Sequence, residues 1–250
     1  MRHFFLTDGS LTPDSTTATL TGEDARHIAL ALRARVGDPV MLADGTGRSY
    51  TARLTAITPT AVTAEIGECR MATVELPVEV ALYVGYPKGD KLELVIEKAV
   101  ELGAAKVIPF LSSRCVRRPA AEKQERLGER YNRIARAAAE QCGRVVLPRV
   151  LPTMDFLPAM KAAAATDLPL FFYEGQGTEP LGRLLSGSPA PRTVSIVVGP
   201  EGGFSEEEVA AAQAAGCLLA GLGERILRCE TAPIAALACL GFFYDFGKNT

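Results

Sequence analysis

Thr193–Val209 reads TVSIVVGPEGGFSEEEV. A run rich in β-branched residues enters a Gly-Pro-Glu-Gly-Gly turn and leaves it as a segment opened by Ser205 and three glutamates. Strand, glycine turn and helix form the unit from which parallel α/β sheets are assembled. Turns of this kind often cradle phosphate on the N-terminus of the following helix. Here Glu206, Glu207 and Glu208 already complement the helix dipole, and Ser205 with Glu208 spells an S-x-x-E capping box. Such a turn is a poor anion cradle and suits a neutral, zwitterionic or cationic ligand better. A tight turn that needs glycine's conformational freedom before a well-capped helix accounts for the same residues.

Outward from this turn, strand and helix patterns alternate from about residue 78 to the C-terminus. VEVALYVGY is followed by KGDKLELVIEKAVELG, which places Leu92, Val95, Ile96, Ala99 and Leu102 on one helical face with Gly103 as its stop. KVIPFL, a long helix near 119–142, VVLP, a helix near 154–165 and the strand LPLFFYE come next. TVSIVV, a helix at 205–215, CLLAGLG and a helix at about 232–243 complete a parallel α/β pattern. SGSPAP at 186–191 reads as a flexible loop. The first residues differ: FFL, PVMLAD, SYTARLTAI and AVTAEIGE are short strand patterns, and GEDARHIALALR is one helix, with Thr21 and Asp24 in a capping-like arrangement. Several short strands and one helix suggest a small barrel. RMATVELP is a linker, which sets the expected domains at 1–72 and 73–250.

The composition, 48% hydrophobic and 22% charged, supports a packed core rather than disorder. No apolar run is long enough to cross a membrane, and MRHFFLTDGS lacks a secretory pattern. Cysteines at 69, 115, 142, 217, 229 and 239 form no C-x-x-C, so no zinc ribbon, and no metal, is expected; scattered thiols fit a reduced cytoplasm. The net charge of −2 hides a basic stretch: Arg114 to Arg149 carries ten basic residues against four acids. A confined basic region on an acidic chain points to a localised polyanion partner. Arg126, Arg130, Arg133 and Arg136 share one broad helical face. Glu122/Arg126 and Glu129/Arg133 at i,i+4 spacing also fit an ordinary solvated face.

The chemistry of the turns narrows the ligand. No G-x-x-x-x-G-K-[ST] is present, and Gly175-Gln176-Gly177 has Pro180 where a dinucleotide fingerprint needs its third glycine. A second turn, LGERILRCETAP at 222–233, mixes Glu224, Arg225, Arg228 and Glu230 with apolar Ile226 and Leu227. Thr231 and Pro233 read as an N-cap and an early-helix proline. As a pocket wall, this segment offers apolar side chains to an aromatic base and charged groups to a reaction.

VGPEGGFSEEE followed by LGERILRCETA resembles the ribosomal small-subunit methyltransferase E family of the SPOUT superfamily. KGDKLELVIEKAVELGAAKVIPF, SSRCV, RYNRIARAAAEQCGR and the N-terminal HIALALRARVGDPVMLADGTG extend the resemblance over nearly the whole chain. It implies an α/β SPOUT-type methyltransferase domain with a parallel sheet and a C-terminal trefoil knot, preceded by a PUA-like β-barrel that docks RNA. It also implies a cytoplasmic homodimer that uses S-adenosylmethionine to methylate N3 of a uridine in the decoding region of 16S ribosomal RNA, with neither DNA nor a membrane as partner. Carried over residue by residue, the cofactor pocket comprises Phe172, Tyr173, Gly199, Glu201, Gly202, Leu222, Gly223, Ile226 and Leu227. A cationic sulfonium without phosphate agrees with the charge of the first turn. Cys115 and Cys142 stand where the family often has serine, Tyr131 where it often has tryptophan, and Pro233 follows the ETA.

Uracil N3 must lose its proton to act as a nucleophile. The two histidines, His3 and His27, lie outside the catalytic half, so Arg228 is expected to stabilise the developing anion and Glu230 to orient the base or accept the proton. A structural ion pair between Arg228 and Glu230 that fixes the loop is the competing reading. Arg2, Arg33, Arg114, Arg117, Arg126, Arg130, Arg133 and Arg136 are the expected RNA contacts. The rival functions are another SPOUT enzyme directed at transfer RNA, a non-catalytic RNA-binding or ribosome-assembly factor, and an oxidoreductase that the missing fingerprint disfavours.

Overall fold

The TVSIVV segment forms a central strand of a parallel sheet, and the chain around it builds one of two compact units. The computed structural model describes residues 1–7, 10, 16–71, 74–116, 118–188 and 191–245. One unit comprises Met1–Glu75 with Ala139–Leu147, and the other Leu76–Ala138 with Pro148–Thr250.

In the N-terminal unit the strands are β1 (Arg2–Phe5), β2 (Thr17–Thr21), β3 (Pro39–Ala43), β4 (Arg48–Ile57) and β5 (Ala61–Met71). They form a sheet in the order β1-β3-β4-β5-β2, antiparallel except for the β1–β3 pair. Among the described residues no β1–β2 pair closes this sheet into a continuous barrel. Alternation explains the core: Ala18 and Leu20, Val40 and Leu42, Ala52 and Leu54, and Val62 and Ala64 all point inward. The helix expected over GEDARHIALALR is short. α1 (Gly22–Arg26) widens at His27–Ala31 into i→i+5 bonds such as Leu32 N–H to the His27 carbonyl, 2.9 Å. Thr21 does occupy the N-cap position, but its side chain makes no capping hydrogen bond. β2 is a strand beyond those expected from the sequence, and β5 runs on into the expected linker as far as Met71. A buried Arg144 joins Glu75 at 2.7 Å and fastens the Ala139–Leu147 segment.

The C-terminal unit follows the predicted alternation. In chain order it contains β6 (Glu79–Gly85), α2 (Lys91–Glu101), β7 (Lys106–Leu111), α3 (Gln124–Cys142, of which Ala139–Cys142 count with the N-terminal unit), β8 (Arg149–Val150), β9 (Met154–Asp155) and α4 (Phe156–Ala163). β10 (Leu168–Phe172), β11 (Glu179–Pro180), α5 (Leu181–Gly187), β12 (Thr193–Val198), α6 (Glu206–Ala215), β13 (Leu218–Gly221) and α7 (Thr231–Tyr244) complete it. The strands run parallel in the order β11-β13-β10-β12-β6-β7-β8, and β9 also pairs with β7. Both faces are covered, so every residue of β10 is buried. VVLP is not a strand: β8 begins just after it, at Arg149. α5 occupies the start of the stretch read as a flexible loop. α7 starts at Thr231 with Glu230 as N-cap, one residue earlier than expected, so Pro233 falls in the first turn, where its missing N–H costs nothing.

Candidate functional site

Strand order decides where a site can form. β10, β12 and β13 lie side by side, and their carboxyl ends deliver Phe172-Tyr173-Glu174, Gly199-Pro200-Glu201 and Leu222-Gly223 to one edge of the sheet. Open α/β sheets bind ligands at this edge. A cavity of about 380 Å³ opens there, within the range of small-molecule sites. Phe172, Val198, Leu222 and Leu227 give it apolar walls, while Ile226, 81% exposed, stands at its mouth.

The glycine turn is shaped by packing. Phe204 is 3% exposed, and its ring lies 4.3 Å from that of Phe171 and 6.2 Å from that of Phe110, to which it is nearly parallel. Burying one such ring stabilises by about 1.5–3 kcal/mol, which pins the end of the turn to the core. A Cβ on Gly199 would sit 3.0 Å from that ring, and one on Gly202 would sit 3.0 Å from the Arg114 Cβ. Gly203 has φ +65°, the left-handed region that favours glycine. α6 carries the predicted capping box: the Glu208 N–H donates to Ser205 Oγ at 3.2 Å, and the Ser205 N–H donates to Glu208 Oε2 at 3.0 Å. Glu208 also accepts the Ser113 N–H at 2.7 Å, tying the turn to the SSRCV segment.

Charge converges on Lys91, to which the sequence motifs assign no role. Its Nζ lies 3.1 Å from Glu201 Oε1 and 3.1 Å from Glu230 Oε2, with Cys229 Sγ at 3.8 Å. Hydrogen bonds to Glu230 and Glu201 push the ammonium above its ordinary value. Burial raises the Glu201 carboxyl, but its own N–H, the Lys88 N–H and Lys91 outweigh this and hold it low. Burial likewise raises Glu230, but the Cys229 thiol, its own N–H and Lys91 hold it below the usual carboxylate range. Burial and the Glu230 contact push the Cys229 thiol up to about 12. The cluster can hold a cation against its carboxylates and an aromatic base against its apolar walls. A phosphate would meet Glu201 and the glutamates of α6.

Of the expected cofactor residues, Phe172, Tyr173, Gly199, Glu201, Leu222, Gly223, Ile226 and Leu227 line the cavity. Gly202 does not: it faces Arg114, whose Nη1 donates to the Gly202 carbonyl at 3.0 Å. Arg228 lines the cavity, while Glu230 is paired with Lys91, so the ion pair of the competing reading, Arg228–Glu230, is replaced by a Lys91–Glu230 pair. Glu174, which no motif singles out, lines the cavity beside Gly203. A lysine at the first position of a helix opposes the dipole, and that was the available signal for Lys91.

Among the expected RNA contacts, Arg126 and Arg133 are exposed on α3, Arg136 is half-buried, and Arg130 pairs with Glu93 at 2.8 Å. Arg114 is exposed, although its guanidinium is engaged with Gly202. Arg117 lies outside the described residues. Arg2 and Arg33 are exposed on the N-terminal unit, Arg33 at φ +48°. His27 is exposed in that unit, and His3 is buried there with both ring nitrogens unpartnered. No group of residues suited to a metal ion occurs among the described residues. No described helix is long and apolar enough to cross a membrane.

Known proteins match both units. Residues 74–241 match the RNA methyltransferase domain, and residues 20–67 the RNA methyltransferase PUA domain. The chain is 34% identical to ribosomal RNA small subunit methyltransferase E of Bacillus subtilis, covering 92% of this chain and 91% of that protein. It is 35% identical to the Synechocystis protein of the same name, covering 89% and 72%. The crystal structure of ribosomal RNA small subunit methyltransferase E from Neisseria gonorrhoeae bound to S-adenosyl methionine superimposes with a TM-score of 0.87 at 32% identity, covering 98% of each chain. Matches of this identity and coverage establish that the chain belongs to the ribosomal RNA small subunit methyltransferase E family.

Proposed function

We propose that this chain transfers a methyl group from S-adenosylmethionine to N3 of a uridine in 16S ribosomal RNA. The observation that carries the reading is the cavity at the ends of β10, β12 and β13, with apolar walls, Arg228 on its lining and the Lys91–Glu201–Glu230 cluster on its side. The donor set fits the cofactor. Phe172, Leu222 and Leu227 suit an adenine ring, Glu201 and Glu174 suit a cation and ribose hydroxyls, and no phosphate cradle is present among the described residues. When bound, the cofactor supplies an electrophilic methyl on a positively charged sulfur.

The chain's own residues supply orientation and charge. In this reading Arg228, which lines the cavity, stabilises the anion that forms as uridine N3 loses its proton. Glu230, kept ionised by Lys91 and the Cys229 thiol, orients the base or receives that proton. Apolar walls exclude water and strengthen both interactions.

The same reading includes a C-terminal trefoil knot. It is supported by β13 lying beyond β10, away from β12, while α7 returns to pack on α2 and β12. It includes a homodimer, supported by α7, which is apolar throughout yet leaves Phe242 68% exposed. The N-terminal unit serves as an RNA-docking domain, and Arg126 and Arg133 contact phosphates. The enzyme works in the cytoplasm, where its substrate is made. Purified protein incubated with small ribosomal subunits, bulk transfer RNA and methyl-labelled S-adenosylmethionine tests this: label should appear in 3-methyluridine of the ribosomal RNA. Label confined to transfer RNA, or absent although the cofactor binds, would favour a rival function.

A further inference from the structure

Lys91 is the first residue of α2, where the helix dipole disfavours a cation. The position is made favourable by two carboxylates from separate segments: Glu201 from the glycine turn after β12, and Glu230 at the N-cap of α7. Both contacts are 3.1 Å, so the two oxygens stand no farther apart than these distances laid end to end, about 6.2 Å. Each carboxylate has a second, weaker anchor: the Lys88 N–H at 3.1 Å for Glu201, and the Cys229 thiol at 3.2 Å for Glu230. Side-chain exposures of 31% for Lys91, 26% for Glu201 and 19% for Glu230 place the cluster at the cavity wall rather than in open solvent.

We propose that Lys91 is a positioning residue for the methyl-transfer reaction: by gripping Glu201 and Glu230 together, its ammonium fixes the glycine turn against the Arg228 loop. The inference rests on the methyltransferase reading above. The turn carries the cofactor side of the cavity, and the loop carries Arg228 and Glu230 on the base side. The reacting atoms therefore meet at a separation set through one lysine. Arg225, Arg228 and Glu174 line the same cavity, and the Cys229 thiol faces the cluster. With Lys91 the site balances three cations against three carboxylates; without it, Glu201 and Glu230 repel each other across the gap that the ammonium filled.

The test compares the parent with Lys91→Met and Lys91→Arg, using intact small subunits and methyl-labelled S-adenosylmethionine across pH, alongside cofactor calorimetry and thermal melts. A misplacement of about 1 Å costs on the order of 10²-fold in rate, so Lys91→Met should lower kcat by about that factor. Its KM for RNA should change little, and the acid limb of its kcat profile should move to higher pH, because both carboxylates lose the cation that holds them ionised. Lys91→Arg should restore the acid limb and part of the rate. Should Lys91→Met fail to fold, the neutral hydrogen-bonding Lys91→Gln replaces it with the same expected shift. A folded variant with parental kcat and pH profile overturns the proposal, as does one that merely melts lower while keeping that profile. A parent that binds the cofactor but methylates no ribosomal RNA refutes instead the reading on which the proposal rests.

Discussion

Gly85 closes β6 directly beneath the glycine turn. A Cβ built there would meet Pro200 Cδ and Pro200 N, each at 2.4 Å, and the Gly199 carbonyl carbon at 2.9 Å. Ordinary van der Waals separation begins near 3.4 Å, so Gly85→Ala demands that something give by about 1 Å. Two of the three obstructing atoms are backbone, and Pro200 is itself buried, so no flexible side chain can swing away. On the other side, Gly85 is held in register with Phe110 of β7. The turn must therefore move, and Gly199 and Glu201 move with it, away from the cavity lining. Overpacking of this kind costs about 1–3 kcal/mol, equivalent to a fall in Tm of roughly 2–12 °C for a chain of this size. Cofactor affinity should fall further than stability, because the displaced atoms line the proposed site. Differential scanning fluorimetry and calorimetric titration with S-adenosylmethionine read the two effects. A Gly85→Ala protein with parental Tm and parental affinity would show that the turn is not wedged against β6 and would refute the packing argument.

Glu208→Ala removes the acceptor for the Ser205 and Ser113 amides and should destabilise by about 2–3 kcal/mol in urea titrations; Ser205→Ala, which removes only the cap, should cost about 1 kcal/mol. Replacing exposed Arg126 and Arg133 by glutamate should weaken RNA binding and flatten its salt dependence by roughly 0.7–0.9 log units per decade for each phosphate no longer neutralised, measured by filter binding at several salt concentrations. Asp167 accepts the Arg192 and Thr193 amides, and the Thr193 amide leads the effects that hold its carboxyl below the ordinary aspartate value. A depressed carboxylate contributes stability above the unfolded-state pKa of about 4 and loses it as pH falls through the folded value. Asp167→Asn should therefore lose less stability than the parent between about pH 4 and the folded pKa, read from melts across that range. With its thiol raised to about 12, Cys229 should resist alkylation at pH 8 while exposed Cys69, on the N-terminal unit, reacts, as peptide mass mapping would show.

The α/β alternation of the C-terminal unit was legible because parallel strands buried on both faces leave continuous apolar runs, as in LPLFF and TVSIVV. β2 was harder: in Thr17–Thr21 only Ala18 and Leu20 are apolar, and its inward face is fixed by pairing with β5, a strand distant in sequence. VVLP carries a strand's composition, but Val146 bridges to Gly45 and Thr46 instead of joining the parallel sheet. Eight of the nine cofactor residues that the family resemblance implied line the cavity; the strand pattern by itself located only the turns after β12 and β13 that carry most of them. Gly202 fell outside because its glycine is required by Arg114, an interaction spanning 88 positions in sequence. Lys91 and the Arg130–Glu93 pair were invisible for the same reason: charge partners from distant segments leave no local period.

Nucleoside mass spectrometry of 16S ribosomal RNA from cells lacking this protein tests the central claim most directly. The account predicts that 3-methyluridine disappears from the small-subunit RNA, returns with the parent gene, and does not return with a folded Arg228→Ala variant. Full retention of 3-methyluridine in cells without the protein would contradict it.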